Sequence, residues 1–271
     1  MADPAGFCVQ TAINPWMTDA AGRLNTVDAA RASTQWLALA AAYRSIGVGV
    51  QVVPAAPGLP DFCFCANQSL AFERRDGTHA VLLSAMNSPT RRGEVPFFAR
   101  WYGAHGYALR TLPVEAAPFE GTGDAIWHPG RRLLWGGVGP RTAAAVWPLV
   151  EAEAEAPVVP LRLTDPRYYH LDTCLCGLDE ETALVFPGAF DAAGLDLLRR
   201  GFARLIEVDE QEAANFACNA HCPDGRHVLL QQGSTRAARA IARRGFAVIE
   251  LDTGEFMKSG GSVFCLKQEL P

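Results

Sequence analysis

Apolar and polar positions along this chain fall into two periods that recur in a fixed order. A run with helical spacing comes first, then a glycine or short break, then a β-branched run with strand spacing. In the first such unit Trp36, Leu39, Ala40 and Tyr43 share one helical face before the strand pattern of VGVQVVP. FFARWYGAHGYALRTLP, RTAAAVWPLVEAEAEAPVVPLRLTDP, LLRRGFARLIEVD and AARAIARRGFAVIELD repeat the order, so the unit occurs five times at irregular spacing. In the last unit Ser234 is the expected N-cap and Gly245 the expected C′ residue. Each unit leads into an apolar segment studded with polar residues: PDFCFCANQSLAF, FEGTGDAIW, YYHLDTCLCGL, NFACNAHC and GGSVFCLKQEL. If these segments begin at matching places, Asn67, Glu120, His170, Asn219 and Cys265 converge on one point. Such a unit cannot bury its apolar face alone, so the five are expected to pack round into one α/β body. The same alternation admits an open α/β sheet equally well. EAEAEAP (residues 151–157) reads as a helix end before Pro157 rather than as a linker, and residues 1–271 are expected to form a single domain.

Composition narrows the function classes. With 49% hydrophobic and 20% charged residues among 271, a core can form. A net charge of −5 with no basic stripe argues against nucleic acid. No apolar run approaches the ~18 residues of a membrane span, and MADPAGFCVQ has neither a charged n-region nor an h-region, so a cytoplasmic location is expected. The eight cysteines include no C-x-x-C pair, and the two C-x-C pairs lie in apolar runs, where buried reduced thiols are expected. Cys218 and Cys222 with His221 form the only passable metal-ligand cluster, and it lacks a fourth ligand. Trp16, Trp36, Trp101 and Trp147 read as packing residues, and His79, His105, His128 and His221 as loop or surface residues.

The chemistry concentrates in three places. Gly260-Gly261 mark a tight backbone approach just before the thiol of Cys265, which is either core filling or a nucleophile. In a strand, His170 and Asp172 would point the same way, and a carboxylate beside an imidazole orients it and raises its basicity. Glu120 and Asp124 sit among glycines that let a ligand come close, and buried acids near a Cys/His pair suit a cationic substrate.

Taken together, AINPWM (12–17), PGLPDFCFCAN (57–67), SPTRRGE (88–94), FEGTGDAIW (119–127), LLWGGVGPRT (133–142), DPRYYHLDTCLC (165–176), NFACNA (215–220) and EFMKSGGSVFCL (255–266) resemble the guanidine-modifying superfamily. This superfamily comprises arginine deiminases, dimethylargininases, amidinotransferases and arginine dihydrolases. The resemblance implies a pentein fold, a pseudo-fivefold five-bladed α/β propeller with an axial site. It also implies a guanidine substrate such as arginine, and a sequence of steps needing no metal or cofactor. Cys265 would be the nucleophile, His170 the proton shuttle, and Glu120 a fork for two guanidinium N–H groups. Asp172 would orient the substrate or His170. Arg91 and Arg141 would anchor the substrate carboxylate, and Asn14, Asn67, Asp124 and Asn219 would line the site.

Two departures matter. The carboxylate motif is Glu-Gly-Thr-Gly-Asp, one residue longer than the deiminase pattern, which leaves the place of Asp124 open. Deiminases and dimethylargininases carry Asp where this chain has Asn67, so PDFCFCAN, and AINPWM with Asn14, resemble the arginine dihydrolase branch. An amide offers a donor as well as an acceptor and can grip a neutral ureido group, so citrulline is expected to be held for a second attack that yields ornithine. The rival readings are a deiminase or dimethylargininase releasing citrulline, an amidinotransferase, and a non-catalytic guanidine-binding protein. The sequence leaves the oligomeric state open.

Overall fold

The computed structural model describes residues 1–113 and 115–271. Helix α1 (Ala29–Ser45) is capped by Asp28, whose side chain accepts from the Arg31 N–H, and it buries Trp36, Leu39, Ala40 and Tyr43 as the helical spacing predicts. The strand expected after it does not form a ladder. Val53 makes only an isolated parallel bridge with Ala2: Asp3 N donates to Val53 O, but the next donor in that register, Ala5 N, turns back to the Asp3 carboxylate at 2.8 Å.

The other four helix-to-strand units are all present, each built into its own sheet. In the first, β1 (Ser69–Glu73) runs antiparallel to β2 (His79–Leu83), and α2 (Val95–Ala104) crosses over to β3 (Ala108–Thr111), parallel to β2. The second begins with one turn, α3 (Gly121–Asp124). It repeats the plan with β4 (Ala125–Trp127), β5 (Leu134–Val138), α4 (Trp147–Ala154) and β6 (Val158–Arg162). The third uses β7 (Leu175–Gly177), β8 (Thr182–Val185), α5 (Ala192–Gly201) and β9 (Arg204–Glu207). The fourth follows the short helix α6 (Glu210–Ala214) and pairs β10 (His227–Gln231) with β11 (Ala247–Leu251) across α7 (Thr235–Ala242). Its leading strand is reduced to the antiparallel bridge His221–Leu229. Helix α8 (Gly254–Met257) leads to the final turn, Phe264–Leu266.

Apolar contacts seat each helix on its sheet: Phe98 and Tyr102 against Val81, Trp147 and Val150 against Leu82 and Leu134, Leu198 and Phe202 against Leu184 and Ile206. Each such side chain contributes about 1.5–3 kcal/mol on burial. α4 stops where the sequence predicts, with Glu155 left-handed at φ 51°. Ser234 occupies the N-cap of α7, its carbonyl accepting from Ala238 N but its side chain making no capping bond; the Glu212 carboxylate accepts the Arg236 and Ala237 N–H groups instead, at 2.7 and 2.9 Å. Gly245 takes φ 93° just beyond that helix.

The polar-studded segments are joined in a closed ring. Thr122 N donates to Ala66 O, Leu171 N to an Asp124 carboxylate oxygen, and Asn219 Nδ2 to Asp172 O. Phe264 N then donates to Asn219 O, and Ala66 N to Cys265 O, which returns to the start. Among the described residues no helix is long and apolar enough to cross a membrane.

Candidate active site

That ring delivers the predicted residues to one place. His170 ends an extended segment (φ −128°, ψ 153°) and is followed at once by the helical turn Leu171–Thr173. The turn sends Asp172 away from the imidazole, so the expected His170–Asp172 pair is not the one that forms: the local segment is not a strand. His170 Nε2 lies 2.8 Å from Glu120 Oε2, and its Nδ1 lies 3.4 Å from Asn67 Nδ2. Arg91 Nη1 donates to Asn67 Oδ1 at 2.7 Å, which aims the amide N–H at the ring. In the neutral ring an N–H facing Nδ1 needs the lone pair there, so that form carries its proton on Nε2, toward Glu120. Gly123 is required beside this pair, since a Cβ would strike Asn67 Nδ2 and stand 3.3 Å from the imidazole.

Glu120 is fully engaged. Oε2 also accepts from Arg141 Nη1 at 2.9 Å, while Oε1 accepts the backbone N–H groups of Asn87 and Ser88 at 3.0 and 3.2 Å. A guanidinium fork on this carboxylate would have to displace one of them. Burial alone would raise its pKa, but the His170 hydrogen bond and the charges of His170, Arg141 and Arg91 override it and hold the carboxyl at about 2.

The two arginines are buried, not surface ion pairs. Arg91 is clamped by Glu94 at 2.8 Å and by the carbonyls of Asp61 and Phe64, so its fork is occupied and it serves as the brace of Asn67 rather than as a free carboxylate anchor. Arg141 donates to Glu120 and to the Ile13 carbonyl, with its guanidinium 5.1 Å from the Tyr169 ring centroid.

Cys265 stands on the other flank. Its Sγ lies 3.3 Å from Asp172 Oδ2 and receives Asn219 Nδ2 at 3.2 Å. Asn219 Oδ1 accepts from Ser262 N and Cys265 N, pinning the turn that carries the thiol. Burial, then the Asp172 charge and the hydrogen bond to it, push the thiol well above its usual range. Burial likewise raises Asp172 to about 7 and Asp124 to about 6, and each keeps one buried oxygen without a hydrogen-bond partner among the described residues.

Asn67, Arg91, Arg141 and Cys265 line one cavity together with Ile13, Asn14, Asp61 and Tyr169. At about 10 Å³ it has room for a single water. Asn14 forms its wall, donating to Ser259 O and capping Trp16 N; the missing Cβ of Gly260, at φ 88°, makes the room, since it would lie 2.7 Å from Asn14 Oδ1. Asp124, behind the imidazole, bonds Leu171 N and approaches His170 Nε2 only to 3.9 Å. Asp61 and Tyr169 escape the sequence reading, although both lie inside motifs already singled out. Asp61 accepts from Ser259 Oγ at 3.1 Å, and the Tyr169 hydroxyl donates to Gly260 O. His128 and His221 are buried rather than at the surface, and His221 is engaged by Tyr43 and Glu269.

The model of the family described as N,N dimethylarginine dimethylhydrolase, eukaryotic, matches residues 3–270. The chain belongs to this family. It is 35% identical over 268 residues to the bifunctional arginine dihydrolase/ornithine cyclodeaminase AgrE of Nostoc sp., covering 98% of this chain and 37% of AgrE. The chain thus spans little more than a third of that relative's length. It is also 35% identical over 271 residues to the N(G),N(G)-dimethylarginine dimethylaminohydrolase of Mycobacterium tuberculosis, covering 100% of this chain and 84% of that protein. Among solved structures, the N-terminal domain of ArgZ, an arginine dihydrolase, as a cysteine-to-serine mutant bound to substrate, superposes with a TM-score of 0.90 at 35% identity, covering 98% of this chain and 95% of that chain. A dimethylarginine dimethylaminohydrolase adduct at 22% identity, TM-score 0.80, shares the fold.

Proposed function

We propose that this chain is a cysteine hydrolase that converts arginine and two waters into ornithine, two ammonia and carbon dioxide, with Cys265 as the nucleophile. The observation that carries the reading is Asn67, held by Arg91 with its N–H toward His170, where the deiminase pattern has a carboxylate. The likeness to AgrE and ArgZ supports it. The sheet-by-sheet repeat and the closed ring of segments support the finer description of the fold as a five-bladed propeller forming one domain, with the first unit as its reduced blade. Eight free thiols suit a reducing, cytoplasmic setting.

In this reading the resting thiol is protonated and donates to Asp172. Glu120 is engaged, so the guanidinium is taken by the unpartnered Asp172 Oδ1, and Arg141 holds the substrate carboxylate beside Asp61. The arriving cation stabilises the thiolate as Asp172 accepts the proton. Sulfur attacks the guanidinium carbon, a C–S bond forms, and His170, entering this step as the imidazolium with Glu120 as its counter-charge, protonates the departing nitrogen; the C–N bond breaks, ammonia leaves, and an S-linked amidine and a neutral imidazole remain. Water, deprotonated by His170, breaks the C–S bond and gives citrulline. The Asn67 amide, a donor, retains the neutral ureido group. A second attack expels the second ammonia, and hydrolysis leaves a carbamic acid that loses carbon dioxide to give ornithine.

Purified protein given uniformly labelled arginine should release ornithine with two ammonia per arginine; citrulline as the sole product would end this reading. Dimethylargininase activity is the second reading, favoured by the matching family model and the Mycobacterium relative. Dimethylamine release from dimethylarginine, faster than ornithine release from arginine, would establish it instead.

A further inference from the structure

Two larger cavities, about 620 and 580 Å³, share no lining residue with the substrate cavity and meet at the segment Lys267–Pro271. Lys267 lines both and is only 5% exposed. Its ammonium lies 3.4 Å from the Phe264 ring centroid, and among the described residues it makes no hydrogen bond or ion pair. A buried ammonium is unfavourable unless an anion meets it; the Phe264 face and the charge of Glu269, which lies beyond ion-pair distance and is itself bonded to His221, compensate only in part. Burial accordingly draws Lys267 below the usual lysine range.

The larger cavity supplies the rest of a ligand's outline. Its volume is that of a small-molecule site. Phe72, Ile126 and Trp127 give it an apolar wall. Glu73, exposed, and Asp179, half-buried, stand in the same lining and form no ion pair among the described residues. A molecule that satisfies all three features is anionic where it meets Lys267, aliphatic along its length and cationic at the far end. We propose that this cavity is a second binding site for a basic α-amino acid, its carboxylate on Lys267 and its side-chain cation between Glu73 and Asp179. The site stands on the cavity and its lysine, and does not depend on which guanidine the active site consumes.

The test uses Cys265→Ser protein, which cannot turn over, titrated calorimetrically with ornithine and with norvaline, the neutral analogue. An ornithine-binding event that disappears on adding Lys267→Met, while Arg141→Ala in the substrate cavity leaves it in place, is expected. Glu73→Gln with Asp179→Asn should weaken that event at least fivefold for ornithine and leave any norvaline binding unchanged. Absence of any ornithine binding sensitive to Lys267 overturns the proposal, given a Lys267→Met protein with the parent's circular dichroism. Should that variant fail to fold, the rim variant decides: ornithine affinities identical to the parent's overturn the site.

Discussion

The two flanks of the active site are equally buried and electrostatically opposite. On the His170 flank the ionised groups are paired, Glu120 facing His170 and Arg141 and Arg91 facing Glu94, while Asp124 behind the imidazole is left raised by burial to about 6. On the Cys265 flank a carboxylate and a thiol face each other, and among the described residues no cation lies at hydrogen-bonding distance and Asp172 keeps an oxygen without a partner. The same burial therefore gives a carboxyl at about 2 on one side and about 7 on the other. Desolvation raises any buried acid; whether the acid ends ionised is decided by the guanidinium groups beside it. Glu120 and Arg91 are paired as folded, whereas Asp172 and Cys265 lack one positive charge, which the proposed guanidinium substrate would supply.

Removing the sulfur breaks the incomplete flank outright. Cys265→Ser should lower kcat/KM by about 10⁴-fold or more while leaving the fold intact, as loss of a covalent nucleophile does elsewhere. Mass spectrometry should find a substrate adduct on Cys265 in the parent and none in the variant; turnover at the parent's rate would remove the nucleophile from the scheme.

Breaking the complete flank should cost both rate and acid stability. Glu120→Gln is expected to lower kcat by about 10²–10³-fold, because the imidazolium loses its counter-charge. Glu120 is depressed from an ordinary 4.5 to about 2, so its contribution is present above pH 4.5 and lost as pH falls through 2. That difference corresponds to roughly 3 kcal/mol. Urea melts between pH 6 and pH 3 should show the parent losing more stability than the variant; parallel curves would mean that the carboxylate is not held down.

Asp172 should respond with the opposite sign. Its folded value of about 7 lies above the ordinary 3.8, so between those pH values the folded state keeps a proton that the unfolded chain has released. Stability falls as pH rises through that window, and Asp172→Asn removes the fall. The variant should be more stable than the parent at pH 8, by up to about 4 kcal/mol. It should also be about 100-fold slower, since the acceptor of the thiol proton is gone. Equal melts at pH 5 and pH 8, relative to the parent, would contradict the raised acid.

The contrast between the flanks explains what could be read from the chain. Asn67, Glu120, His170, Asn219 and Cys265 converge because each follows a helix-to-strand unit, and periodicity reports such units directly. Side-chain direction within the segments was not legible. His170 and Asp172 are two apart, which on a strand means one face, but a three-residue helical turn intervenes and hands Asp172 to Cys265. Arg91 and Glu94 stand at i,i+3, a spacing that signals the pair but not that it is buried and braces Asn67. Lys267 lies two residues past the thiol, where the apolar run gives way to Lys-Gln-Glu, and only coordinates reveal that its ammonium has no hydrogen-bond or ion-pair partner among the described residues.

Asn67→Asp sharpens the comparison from the amide's side. An aspartate accepts from Arg91 as before but presents an acceptor to His170, favouring the imidazolium and extending the ionised flank. It also withdraws the only donor that this position offers a ureido group. The ornithine-to-citrulline ratio should drop at least about tenfold, while the first ammonia is still released. An unchanged ratio would place the retention of citrulline elsewhere.

The smallest effect belongs to the wall that separates both flanks from solvent. A cavity of about 10 Å³ cannot hold the proposed arginine substrate, so its lining has to open; the segment with Ile13 and Asn14 is held there by Arg141 to Ile13 O and Asn14 to Ser259 O. Asn14→Ala removes the second bond, worth about 1 kcal/mol, along with the cap on Trp16 N inside the segment itself, without touching a charge on either flank. Opening should become about fivefold easier, seen as faster amide exchange over residues 12–17 and a shifted KM, with kcat within twofold of the parent. A tenfold fall in kcat at unchanged KM would instead mean that Asn14 reaches the transition state. Asn14 would then count among the groups that act on the reacting atoms, not in the wall that covers them.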